Sequence, residues 1–86
     1  MVKIAFTLQD APDFWTELNA DCLSLNGDAL TVRDEANIAD LIYSRFPKLR
    51  ECNRRIKNLI ITDDNKGKTY ATNDFDVPGS LKKIEK

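Results

Sequence analysis

Histidine is absent from this 86-residue chain. That removes the one side chain whose ordinary pKa lies near neutrality, and with it the commonest general base and zinc ligand. Glycine is scarce too. Gly27, Gly67 and Gly79 each sit in a turn-like setting, which leaves none for a phosphate-cradling loop or a serine elbow. Two cysteines, Cys22 and Cys52, make no paired-cysteine metal motif, and the expectation is that both stay reduced as small buried hydrophobes. No apolar run approaches the ~18 residues of a membrane span. The opening MVKIAFTLQD alternates apolar and polar residues and lacks the unbroken apolar stretch of a secretion signal. These absences point to a cytoplasmic protein with no cofactor, no membrane partner and no catalytic residues.

What is present centres on Asn37–Lys57 (NIADLIYSRFPKLRECNRRIK). Ile38, Leu41, Ile42, Phe46, Leu49, Cys52 and Ile56 recur at three- and four-residue steps, the spacing of one helix face. Pro47 interrupts the pattern, because its ring and missing N–H break the ladder and push Phe46 out of helical geometry. A helix over Asn37–Arg45, capped by Asp34 or Asn37, is therefore expected to give way to a turn or second short helix.

Charge is laid out unevenly. Residues 1–44 carry eight acids and two bases, whereas residues 45–57 carry six bases against Glu51 alone. If the segment after Pro47 is helical, Arg50, Arg54 and Lys57 share a face, flanked by Lys48 and Arg55. Arginine grips carboxylate and phosphate bidentately, so this surface suits a larger protein with an acidic surface, or a nucleic-acid backbone as the alternative. The plainer reading is a solvated face paired with the acidic half of the same chain. The acidic pI of 5.3 and the lack of aromatics interleaved with the bases argue against nucleic acid.

Around this centre the chain reads as strands. Val2, Ile4, Phe6 and Leu8 alternate with polar or small residues, as in a half-buried strand. Pro12 at a first-turn position, with Phe14, Trp15 and Leu18 on one side, predicts a short helical insert. Phe14 and Trp15 then either cover an open end of the core or form a partner-binding hot spot. Asn26-Gly27 predicts a hairpin with Leu23 opposite Leu30 and with Leu23, Leu25, Leu30 and Val32 on one face. Leu59-Ile60-Ile61 reads as a central strand buried on both faces, and Lys68–Thr72 as its returning neighbour. The intervening DDNKGK is acid-rich, but aligning Gly67 with the calcium-loop glycine puts Lys66 at a ligand position, so it reads as a turn. Phe75 and Val77 are expected in a short edge strand. A single domain over residues 1–79 and a tail over 80–86 complete the layout.

In Met1–Phe6, in Leu30–Ile42 with its Ile38-Ala39-Asp40-Leu41-Ile42, and in Arg45-Phe46-Pro47-Lys48-Leu49, the sequence resembles β-grasp, ubiquitin-like proteins. More narrowly it resembles the small sulfur carriers of the molybdopterin-synthase small-subunit and thiamine-carrier type, with their "VADLL" helix start and "RYPEL" segment. The resemblance covers about half the chain. It implies an α+β fold: a mixed sheet of four to five strands with one principal helix across one face. Those carriers end in Gly-Gly, whose carboxylate is activated. This sequence ends Ile84-Glu85-Lys86, with Gly79 standing alone, so a carrier role implies cleavage near Gly79. The leading expectation is a non-catalytic binding module, an adaptor or inhibitor such as a phage or mobile element encodes. It would dock through Lys48, Arg50, Arg54, Arg55 and Lys57, or through Phe14 and Trp15.

Overall fold

The computed structural model describes residues 1–23, 30–52, 55–77 and 79–84. Five strands and two helices follow in the order β1 (Val2–Leu8), β2 (Ala11–Asn19), α1 (Val32–Arg45), α2 (Pro47–Glu51), β3 (Ile56–Asp63), β4 (Lys68–Asp74) and β5 (Lys82–Lys83). The strands form one sheet in the order β2-β1-β3-β4-β5. The fold is α+β, as expected. Each of the four strand pairs is antiparallel, so the sheet is not the mixed one that the resemblance implied.

The alternation in β1 does what the sequence predicts. Val2, Ile4, Phe6 and Leu8 are buried and join Leu18, Ile38, Ile42, Leu49, Leu59, Ile61 and Tyr70 in one core. The helices thus cover one face of the sheet. No helix of the described residues is long and apolar enough to cross a membrane.

The predicted helical insert is a strand. Gln9 and Asp10 form a tight connection, closed by the pairing of Leu8 with Ala11, and β2 runs back along β1. Thr16, Leu18 and Ala20 alternate there with Glu17, Asn19 and Asp21, a two-residue period that the helical spacing of Phe14, Trp15 and Leu18 concealed. Pro12 is tolerated because β2 lies at the sheet edge, where a missing N–H breaks no ladder bond.

Helix α1 starts five residues earlier than expected. Thr31 is its cap: the Thr31 hydroxyl accepts from the Asp34 N–H at 3.1 Å, and the Asp34 carboxylate accepts from the Thr31 N–H at 2.9 Å. This reciprocal box satisfies two donors that the first turn would otherwise leave bare. Thr31 and Val32 therefore belong to the helix rather than to a hairpin strand, and Val32 is exposed. The Asn26-Gly27 turn itself lies outside the described residues. Leu23 and Leu30 pack against the core. The break at Pro47 is where the sequence placed it. Phe46, at φ −131° and ψ 69°, turns its ring edge-on to Phe6 with centroids 6.1 Å apart, an arrangement worth about 0.5–1.5 kcal/mol beyond its buried area.

Strand β3 carries a bulge. Between the pairs Ala5–Ile60 and Thr7–Lys57, Phe6 of β1 faces two residues, Asn58 and Leu59. Asn58 takes the extra position at φ +52°, a left-handed conformation that asparagine adopts more readily than most side chains. The bulge lets Ile56 and Leu59, three apart, both be buried. Ile60 points away from that core and is half-buried, so β3 is covered on one face and not on two. The β3–β4 turn is held by the Asp63 carboxylate, which accepts from the Asn65 and Lys66 N–H groups at 3.1 and 3.3 Å, with Gly67 at φ +63°.

Phe75 and Val77 lie beyond the end of β4 and form no strand; the edge strand is β5. Of the residues expected as a tail, Leu81 is buried in the core and Lys82 and Lys83 pair with Ala71 and Tyr70. Just before them, Gly79 donates its N–H to both carboxylate oxygens of Glu35 at 3.0 and 3.2 Å. Cys22 and Cys52 are free, but both are exposed rather than buried, since one follows the end of β2 and the other caps α2.

Candidate functional site

Two surfaces carry the residues that the sequence singled out. The basic one does not form a single helix face. Helix α2 ends at Glu51, Lys57 lies in β3, and Arg55 precedes that strand; Arg54 lies outside the described residues. Lys48 is exposed on α2. Arg50 stacks over the Tyr43 ring, 4.7 Å from its centroid, and lies 4.0 Å from the Asp40 carboxylate.

Arg55 and Lys57 are engaged more closely. Arg55 donates from Nε to Asp76 at 2.8 Å and from its terminal nitrogen to Asp74 at 3.3 Å, while Lys57 Nζ reaches the same Asp74 oxygen at 2.8 Å. The Lys57 bond, supported by the Asp76 N–H and the charge of Arg55, holds the Asp74 carboxyl below the usual carboxylate range. The hydrogen bond to Asp76 and the charge of Asp74 raise the Arg55 guanidinium. The partners of these two bases come from the C-terminal part of the chain, not from its acidic first half. Among the four described bases that the sequence singled out, Arg50 is the one paired with that half. Two of the four described bases thus already share a carboxylate, which lowers the charge that this surface can offer a partner.

The second surface is the outer edge of the sheet. Between the pairs Phe6–Thr16 and Leu8–Ala11, β1 supplies Thr7 alone and β2 supplies four residues, Pro12 to Trp15. The surplus loops out. Phe14 is 73% exposed and Trp15 48%, so neither covers the core, one of the two roles open to them. Further along β2 the ladder is regular. Ala20 donates its N–H to the Val2 carbonyl at 2.8 Å, and alternation then aims the backbone groups of Glu17 and Asn19 away from β1. Asp21 fixes the far end of the strand, since its carboxylate accepts from the Val2 and Asn19 nitrogens at 2.6 and 2.9 Å; the first of these bonds does most to hold its pKa low.

Comparison with known protein families, with curated proteins and with solved structures finds no match for this chain. The sequence named Phe14 and Trp15 but missed the strand that presents them. The signal was there, in the Thr16–Asp21 alternation.

Proposed function

We propose that this chain is a small protein-binding module without catalysis of its own, an adaptor or inhibitor, that docks through the β2 edge bearing Phe14 and Trp15. The observation that carries this reading is the exposure of two adjacent large aromatics, looped out of an edge strand in which Glu17 and Asn19 aim their backbone groups away from β1. Aromatic side chains dominate interface energetics, and an exposed sheet edge is a template for an incoming strand. Residues 9–23 carry Asp10, Asp13, Glu17 and Asp21 with no lysine or arginine, which favours a basic partner surface. The 48–57 bases are the weaker docking candidate, given the engagement of Arg55 and Lys57.

Affinity capture from the native source tests this, using the wild-type chain, Phe14→Ser/Trp15→Ser, and Lys48→Glu/Arg50→Glu. The aromatic variant is expected to lose the partner and the charge-reversed one to keep it. Retention by the aromatic variant, with loss by the charge-reversed one, would return the docking site to α2.

A further inference from the structure

The face of the sheet opposite the helices presents a row that runs straight across all five strands. Glu17 on β2 pairs with Ala5 on β1, Ala5 with Ile60 on β3, Ile60 with Ala71 on β4, and Ala71 with Lys82 on β5. The row has an acid at one end, a base at the other and uncharged small or aliphatic side chains between. Ala5, Ile60 and Ala71 are each half-buried, and Glu17 and Lys82 are exposed. One neighbouring row, Asn19, Lys3, Thr62 and Thr69, adds one further charge, and the row on the other side adds Lys57, paired with Thr7 and held by Asp74 at 2.8 Å. Lys3 lies 4.0 Å from Glu17, and both side chains are more than half exposed, so this pairing leaves Glu17 open to other partners.

We propose that this open face is a docking surface for a second copy of the chain. A two-fold axis along the strands through Ile60 stacks the two sheets face to face. It lays β3 on β3, β1 on β4 and β2 on β5 of the other copy. Glu17 then faces Lys82 of the other copy at both ends, with the Ala5, Ile60 and Ala71 side chains in the middle. Lys3 falls over Thr69 and meets no like charge, while Lys57, which β3 on β3 brings near its counterpart, is already neutralised by Asp74 at 2.8 Å.

The other face-to-face two-fold, perpendicular to the strands, sets Glu17 against Glu17 and Lys82 against Lys82, which is unfavourable. Charge therefore selects one of two stackings. Aligned sheets pack ~10 Å apart and rotated by about 30°. Glu17 and Lys82 lie two strand spacings from the axis, so the rotation displaces them by roughly 5 Å, within reach of a lysine side chain. A face this narrow is smaller than the ~800 Å² per partner of a standard interface, so the dimer is reversible and concentration-dependent.

Sedimentation velocity over a dilution series, from millimolar to low micromolar chain, tests the proposal. The wild-type protein is expected to pass from dimer to monomer. Glu17→Lys and Lys82→Glu, each of which turns two attractions into two repulsions, should each weaken the dimer by about tenfold. The double variant Glu17→Lys/Lys82→Glu should restore it. Phe14→Ser/Trp15→Ser should leave it unchanged, because the looped-out aromatics lie outside the stacked row. All these positions are solvent-facing, and a thermal melt of each variant confirms folding. A monomer at every concentration overturns the proposal. So does a double variant no tighter than either single one, or loss of the dimer in the aromatic variant, which would place the contact on the β2 edge.

Discussion

Asn58 Nδ2 donates to Thr7 Oγ1 at 3.1 Å, and the same hydroxyl donates to the Lys57 carbonyl at 3.2 Å. Thr7 is completely buried, so one hydroxyl both fixes the left-handed Asn58 and satisfies the backbone beside it. Thr7→Val keeps the shape and removes both bonds, and should cost about 1–3 kcal/mol in urea unfolding. Asn58→Gly, which suits positive φ, should cost less than about 1 kcal/mol, whereas Asn58→Val adds the strain of a β-branched residue there. Equal stability of the glycine and valine variants would show that the bulge does not require this conformation.

The Thr31–Asp34 box predicts a contrast along one helix. Thr31→Ala should destabilise the protein by about 1 kcal/mol, the usual loss for a cap. Asn37→Ala, at one of the two positions where the sequence placed the cap, lies within the helix and exposed, and should change stability by less than about 0.5 kcal/mol. Thermal melts of the two variants decide it; a larger loss at Asn37 would contradict the assigned start.

Local patterns were legible wherever one element decides its own fate. The β1 alternation, the Pro47 break and the Asp63–Lys68 turn follow from propensity and sterics alone, and all three are present. Failures came where a local signal reads two ways or where distant chain intervenes. Thr31 and Val32 are β-branched and look like strand, but the reciprocal bond with Asp34 makes them a helix start. Pro12, Phe14 and Trp15 mimic a helix because the register irregularity hides the alternation that resumes at Thr16. The bulge at Asn58 spaces Ile56 and Leu59 by three, a step that no strand template contains. Basic charge could be counted from the sequence. Its neutralisation could not, because Asp74 meets Lys57 only through the pairing of β3 with β4.

Acid should expose that neutralisation. Lys57, as the leading cause, lowers the Asp74 pKa in the folded chain, so the carboxylate form is favoured by folding. The resulting stabilisation is fully present above the unfolded aspartate value of about 4 and is lost as pH falls through the lower folded value. Asp21, held low chiefly by the Val2 N–H, acts in the same direction. Urea unfolding of Asp74→Asn should therefore show a shallower loss of stability below about pH 4 than the wild type. Parallel acid limbs for the two proteins would mean that the Lys57–Asp74 contact does not persist in solution.

Binding and stability should separate cleanly on β2. Phe14 and Trp15 are exposed, so Phe14→Ser/Trp15→Ser should alter unfolding free energy by no more than about 0.5 kcal/mol per site. Leu18, three residues on, is 7% exposed within the core, and Leu18→Ala should cost about 2–5 kcal/mol. The contrast matters because a partner lost by an unfolded variant says nothing about docking. Trp15 is also the only tryptophan, so its fluorescence reports this edge alone. In the free protein it should emit near the wavelength of a hydrated indole and be quenched readily by iodide. A partner seated on β2 should shift the emission to the blue and protect it from quenching. Binding that leaves both unchanged would place the partner elsewhere on the molecule.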